Sequence, residues 1–179
     1  MSDTNELQVA KGFGRIFFVG FMGCGKTTWG RKLATHLNCH FVDLDHLLEE
    51  KAGMGVAEYF SSFGEDAFRQ LESDLLKQTE YPADAIISTG GGLPCFFDNM
   101  EWMNANGKTA YIKLSPKTLA QRLEGSKTER PVLQGKKGDE LVEFITSKLA
   151  ERESFYEQAT HIIDGISLSV ERLEEELAK

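Results

Sequence analysis

Residues 20–27 read "GFMGCGKT" and constrain the fold more than any other eight positions in the chain. They match G-x-x-x-x-G-K-[ST] through Gly20, Gly25, Lys26 and Thr27, directly after the apolar run "RIFFVG" and directly before an amphipathic stretch over 26–38. A strand, a glycine loop and a helix in that order make a cradle whose backbone amides and helix dipole face an anion. The pattern places Lys26 at the β- and γ-phosphates of a nucleotide and the Thr27 hydroxyl on Mg²⁺. Gly23 lets the loop turn, Cys24 supplies a small side chain within it, and Thr28 adds a hydroxyl toward the α-phosphate. The alternative is a glycine-rich turn with no ligand. At ordinary glycine frequency a chain of this length matches by accident under about one time in fifty, and the flanking strand and helix make accident rarer.

The rest of the chain continues the alternation. Short β-like runs at 15–20, 40–44, 84–88, 109–114 and 161–164 are separated by helical segments, the pattern of an α/β protein with a five-stranded parallel sheet flanked by helices. Helices are expected at 26–38, 46–52, 55–79 with a break at "SFGED", 96–105, 116–124, 138–158 and 167–178. Residues 1–14 read as a polar lead-in. The glycine- and lysine-rich "GSKTERPVLQGKKG" over 125–138 lacks an apolar period and reads as a mobile lid within one domain spanning 1–179.

Charge sharpens the functional reading. The net charge of −8 argues against nucleic acid or an anionic membrane as the main partner, and an anionic small molecule then needs local cations. No apolar run approaches the roughly 20 residues that span a bilayer, and the N-terminus has no hydrophobic signal core. Cys24, Cys39 and Cys95 form no C-x-x-C pair, which fits a reducing cytoplasm.

Three more stretches carry chemistry. In "FVDLD", Asp43 and Asp45 are two apart and face one side of an extended chain at the carboxyl end of the second strand. One carboxylate suits Mg²⁺ and the other suits an acceptor's proton; a helix cap at Asp45 explains the pair equally well. In "GEDAFRQLE", Arg69 and Glu72 are i, i+3 neighbours, either a steadied anion-binding guanidinium or a surface ion pair. In "STGGGLP", three glycines follow a strand, each weakening regular structure by roughly 0.5–1 kcal/mol. Either something lies too close for a β-carbon or the chain turns tightly there.

Taken together, "GFMGCGKTT", "FVDLD", "GEDAFRQLE", "STGGGLP", "ERPVL" and "ERESFYEQA" resemble the motifs of shikimate kinases in order and rough spacing, from Arg15 to about Asp164. The resemblance implies a three-layer P-loop kinase fold with a mobile lid. It also implies transfer of the γ-phosphoryl group of Mg·ATP to the 3-hydroxyl of shikimate by a cytoplasmic, monomeric enzyme of aromatic amino-acid synthesis. By the same resemblance Arg69 and Arg152 clamp the acceptor carboxylate, with Arg69 steadied by Glu72 and a backbone amide at Gly91, beside Gly92, assisting. Asp45 binds the acceptor hydroxyls and serves as base, and Asp43 sits in the Mg²⁺ shell. Arg130 swings over the γ-phosphate, and Arg122 stacks on adenine. Cys24, Thr27 and Val132 depart mildly from the family pattern, and the segment after 161–164 lacks the Arg- and Pro-containing stretch that often cradles adenine. A kinase of another small hydroxylated acid, such as gluconate, and a non-catalytic nucleotide-binding module are the two rival readings.

Overall fold

The computed structural model describes residues 12–128 and 130–179, so residues 1–11 of the expected lead-in and Glu129 of the expected lid fall outside the described residues. Among these residues five strands form one sheet: β1 (Arg15–Val19), β2 (His40–Asp43), β3 (Ala85–Ser88), β4 (Lys108–Lys113) and β5 (His161–Asp164). All pairings are parallel, in the order β2-β3-β1-β4-β5. Ile16–Val19 and Ala85–Ser88 are buried throughout. That burial explains why they read as continuous apolar runs and not as alternation: strands covered on both faces have no wet side.

Among the described residues seven α-helices flank the sheet: α1 (Lys26–Leu37), α2 (Leu44–Ala52), α3 (Val56–Gln78), α4 (Asn99–Asn106), α5 (Pro116–Glu124), α6 (Gly138–Tyr156) and α7 (Val170–Leu177). Phe17 at the centre of β1 packs its ring edge-on against Tyr81 and Trp102, with centroids 5.8 and 6.0 Å away. Burying a ring of this size contributes about 1.5–3 kcal/mol, so the central strand is firmly anchored. No described helix is long and apolar enough to cross a membrane.

The helix boundaries show local chemistry at work. The expected break in "SFGED" is a kink at Gly64 (φ 84, ψ 171) inside α3. The helix expected from residue 96 starts only at Asn99, because Leu93–Cys95 forms a short 3-10 turn and Phe97 takes a left-handed φ of 50. The last helix starts at Val170, not 167, where the Ser169 hydroxyl accepts from the Arg172 amide and caps it.

This strand order sets the site. From β1 the chain builds β2 and β3 on one side, then crosses over to build β4 and β5 on the other. The carboxyl end of β1 is therefore a switch point, the place where open α/β sheets bind ligands. The glycine loop emerges there, between the ends of β3 and β4, with the end of β2 beyond β3.

Candidate active site

The loop is built around left-handed glycines, Gly23 at φ 81 and Gly25 at φ 102, conformations that side chains rarely adopt. Gly25 is the N-cap of α1 and offers no side-chain cap, so the first-turn amides are left for an anion. Lys26 is 8% exposed, and its ammonium donates to the carbonyls of Gly20 (2.8 Å) and Phe21 (3.1 Å), with the Cys24 sulfur at 3.8 Å. The lysine therefore braces the loop from within, and among the described residues it pairs with no carboxylate. Arg122, in the last turn of α5, donates to the Cys24 carbonyl at 3.3 Å. Thr27 Oγ1 lies 3.4 Å from Asp43 Oδ2 and 3.3 Å from Ser88 Oγ.

A cleft of about 300 Å³ gathers Gly23, Gly25, Lys26, Thr27, Thr28, Asp45, Gly91, Arg122 and Arg130. A larger hollow of about 940 Å³ lies beside it, between α5, α6 and residues 126–138, and Arg130 borders both. The smaller one is lined by the glycine loop and the first turn of α1.

The two aspartates do not share a strand. β2 ends at Asp43, which is itself the cap of α2: its Oδ1 accepts from the amides of Asp45 (3.0 Å) and His46 (3.3 Å). Asp45 is thus in the first helical turn, and the capping role expected as its alternative belongs to Asp43. The change of direction keeps one Asp43 oxygen beside Thr27 and sends Asp45 into the cleft. Asp45 remains in contact with solvent there, yet enough protein surrounds it that desolvation raises its pKa. The charge of Asp43 adds to the rise, while Lys26 and Arg130 oppose it.

A second cluster lies beyond Asp45. Arg69 Nη1 donates to Glu72 Oε2 at 2.8 Å, and both side chains are nearly buried, 11% and 4% exposed. This is no surface ion pair. The guanidinium also lies 4.4 Å from the Phe96 ring centroid and 5.2 Å from that of Phe68, so aromatic faces hold it in place. Burial pushes the Glu72 carboxyl up to about 7, outweighing the opposing pull of Arg69. On α6, Arg152 stands 5.7 Å from the Phe21 ring centroid. Arg152 Nη1 and Arg130 Nε are the buried side-chain polar atoms without a hydrogen-bond partner among the described residues. Both side chains are only partly buried, and an anion in the cleft would satisfy these donors.

The three glycines of "STGGGLP" are explained by neighbours, since none adopts the left-handed φ of a tight turn. A β-carbon on Gly90 would lie 2.9 Å from Glu72 Oε1 and 3.0 Å from Asp45 Oδ1; one on Gly92, 2.5 Å from Arg69 Nη1. A β-carbon on Gly91 would lie 3.3 Å from the Met22 amide of the phosphate loop and 3.7 Å from Arg152 Nη1. The room these residues leave is used first by the protein's own side chains and loop. The structure thus brings Asp45, Arg69, Glu72 and Arg152 together around one bare turn, next to Lys26, Thr27 and Arg130.

A family model for shikimate kinase matches residues 22–179. The chain belongs to the shikimate kinase family. It is a small-molecule kinase that phosphorylates shikimate at the expense of ATP. Shikimate kinase from Bacteroides fragilis is 51% identical over 148 residues, covering 83% of each chain. That from Bacteroides thetaiotaomicron is 46% identical over 169 residues, covering 90% of this chain and 97% of its own. The crystal structure of the latter superposes with a TM-score of 0.87 at 44% identity, over 93% of this chain and 99% of its own. A shikimate kinase from Acinetobacter baumannii, solved in complex with shikimate, gives 0.81 at 30% identity, over 93% of this chain and 91% of its own.

Sequence reasoning missed several residues that contact the candidate site. Ser88 completes the hydroxyl pair with Thr27, Phe96 flanks Arg69, and Thr89 pins the glycine turn to β1 by donating to the Phe18 carbonyl at 2.8 Å. Ser88 and Thr89 begin the very stretch that was singled out, so their position at the strand end was the available signal. Phe96 gave none.

Proposed function

We propose that this kinase passes the γ-phosphoryl group of Mg·ATP to the 3-hydroxyl of shikimate with Asp45 as the group that receives the hydroxyl proton. The observation that carries this reading is the position of Asp45. It lines the phosphate cleft with Lys26, Thr27 and Arg130, and its carboxylate also shares the flank of Gly90 with Glu72 of the other cluster. A group at that junction can touch both substrates. In the step, the acceptor oxygen bonds to the γ-phosphorus and the bond from that phosphorus to the β–γ bridging oxygen breaks. ADP leaves with the electron pair, and the proton goes to an Asp45 oxygen. Its raised pKa makes Asp45 a better proton acceptor than a free aspartate, and a loose phosphoryl transition state needs that transfer only late.

The remaining residues divide between the substrates. Lys26, the amides of Gly23, Cys24 and Gly25, and Thr28 hold phosphates, while Arg122 lies along the adenine. Arg69 and Arg152 hold the shikimate carboxylate, with Gly91 and Gly92 giving close backbone approach and Glu72 fixing Arg69. Arg130, on the 125–138 lid, closes over the γ-phosphate, excluding water and stabilising charge. Thr27 Oγ1 and Asp43 Oδ2, 3.4 Å apart, form a hydroxyl–carboxylate pair suited to Mg²⁺, which prefers few protein oxygens plus phosphates. No cluster of three or more potential metal-ligating His, Cys, Asp or Glu side chains exists among the described residues. When bound, the ion neutralises phosphate charge. A monomeric enzyme in a reducing cytoplasm belongs to this reading, and Cys24, Cys39 and Cys95 are free thiols.

The test is Asp45→Asn, assayed by ADP release with Mg·ATP and shikimate, quinate or gluconate. Turnover with shikimate should fall about 10²- to 10⁴-fold, while ATP affinity changes less than about twofold. Near-normal turnover by the variant would remove Asp45 from proton transfer.

A further inference from the structure

The glycine turn is held in place by buried side chains that do not themselves line the cleft, and one of them links the two arginines of the acceptor site. Tyr156, the last residue of α6, is fully buried with its ring against Tyr111 (centroids 5.2 Å apart), and its hydroxyl donates to the Gly91 carbonyl at 2.5 Å. Tyr156 is one helical turn beyond Arg152, so both side chains leave the same face of α6. Gly91 is flanked by Gly92, whose α-carbon abuts the Arg69 guanidinium. On the other side Asn99, itself fully buried, donates to the Leu93 carbonyl at 2.8 Å and accepts from the Ser73 hydroxyl at 2.7 Å. Ser73 follows Glu72 on α3. The turn is therefore tied to α6 by Tyr156 and to α3 by Asn99 and Ser73.

We infer that Tyr156 is a positioning residue for the shikimate carboxylate: by fixing the Gly91 carbonyl to α6, its hydroxyl sets the separation between Arg152 on α6 and Arg69 beside the turn. The inference rests on the proposed reading that these two arginines clamp the carboxylate. A rigid fork binds a planar carboxylate only at the right spacing, and a small lateral error breaks one of its parallel hydrogen bonds. A buried hydroxyl on a helix face otherwise crowded with apolar side chains is costly unless bonded, and this one is bonded to the turn. The nucleotide side of the cleft shares no hydrogen bond with it.

Tyr156→Phe keeps the ring and removes only the donor. Shikimate binding in the absence of nucleotide, measured by calorimetry, should weaken about tenfold, the effect of leaving one buried acceptor unmet, with ATP binding within about twofold. In steady-state kinetics KM for shikimate should rise more than kcat falls. In an Arg152→Lys background the same change should have little further effect, because the spacing it controls no longer matters. Equal losses for both substrates, or full additivity with Arg152→Lys, would show Tyr156 to be structural only. If Arg152→Lys itself leaves shikimate binding intact, the clamp reading fails first and is seen to fail separately. Should Tyr156→Phe not fold, 3-fluorotyrosine at position 156 keeps ring and hydroxyl while altering donor strength. It must then shift shikimate affinity and leave ATP affinity unchanged, and any other pattern overturns the inference.

Discussion

A methyl group on Gly92 would lie 2.5 Å from Arg69 Nη1, 2.7 Å from Nη2 and 2.8 Å from Cζ. The backbone itself would accept it, since Gly92 sits at φ −89, ψ −21, ordinary right-handed values for alanine. Gly92→Ala is thus a steric test without backbone strain. The guanidinium is held between Glu72, Phe68 and Phe96, so yielding to the methyl means giving up that geometry. A charged hydrogen bond of this kind is worth about 1.5–3 kcal/mol, which converts to about 10- to 100-fold. KM for shikimate should rise by that factor, with KM for ATP nearly unchanged. Matching losses for both substrates would mean that the methyl had disturbed the phosphate loop as well. At this scale the sequence showed that something crowds the glycines but not what, because Arg69, Glu72 and Asp45 reach the turn only through the tertiary fold. Tyr156 stands inside the quoted "ERESFYEQA" but without a role: a tyrosine at helical spacing reads as core.

Among the elements, α3 shows how a kink serves the site. Gly64 at φ 84, ψ 171 lies in a region essentially reserved for glycine, and nothing stands within 4 Å of where its β-carbon would be. Gly64→Ala therefore costs backbone strain and no collision, about 1–3 kcal/mol. For a chain of this size the thermal midpoint should drop by about 2–12 °C, read by differential scanning calorimetry. Arg69 and Glu72 are on the half-helix after the kink, so KM for shikimate should suffer more than KM for ATP. An unchanged midpoint would mean that the helix straightens at no cost. The kink was legible because glycine interrupts a long helical period there. The start of α2 was not, since Asp43 and Asp45 both suit a cap and only the end of β2 decides between them. The late starts of α4 and α7 were equally hidden: each depends on a short local motif that overrides the apolar period.

For the molecule as a whole, the alternating pattern disclosed a parallel sheet but not its strand order, which depends on long-range pairing and which places the loops at the carboxyl ends of β1, β2 and β3. Gathering charges at that edge has a price in stability that pH should reveal. Glu72 is buried, and its pKa rises from an ordinary 4.5 to about 7 although Arg69 is 2.8 Å away. The ionised carboxylate loses more in desolvation than the guanidinium returns. Between those values the folded protein binds more protons at this site than the unfolded chain, so the stability it contributes is fully present below pH 4.5 and is lost as pH rises through about 7. At about 1.4 kcal/mol per pKa unit the step is about 3 kcal/mol. Other groups titrate in the same window, His161 among them with a lowered pKa, so the wild-type profile alone mixes signs. Subtracting the urea-unfolding free energy of Glu72→Gln from that of the wild type at each pH isolates the term. The difference should fall between pH 4.5 and 7 and then level off. A difference that climbs with pH would mean that the ion pair with Arg69 outweighs burial, and that the acceptor site is a net source of stability near neutral pH.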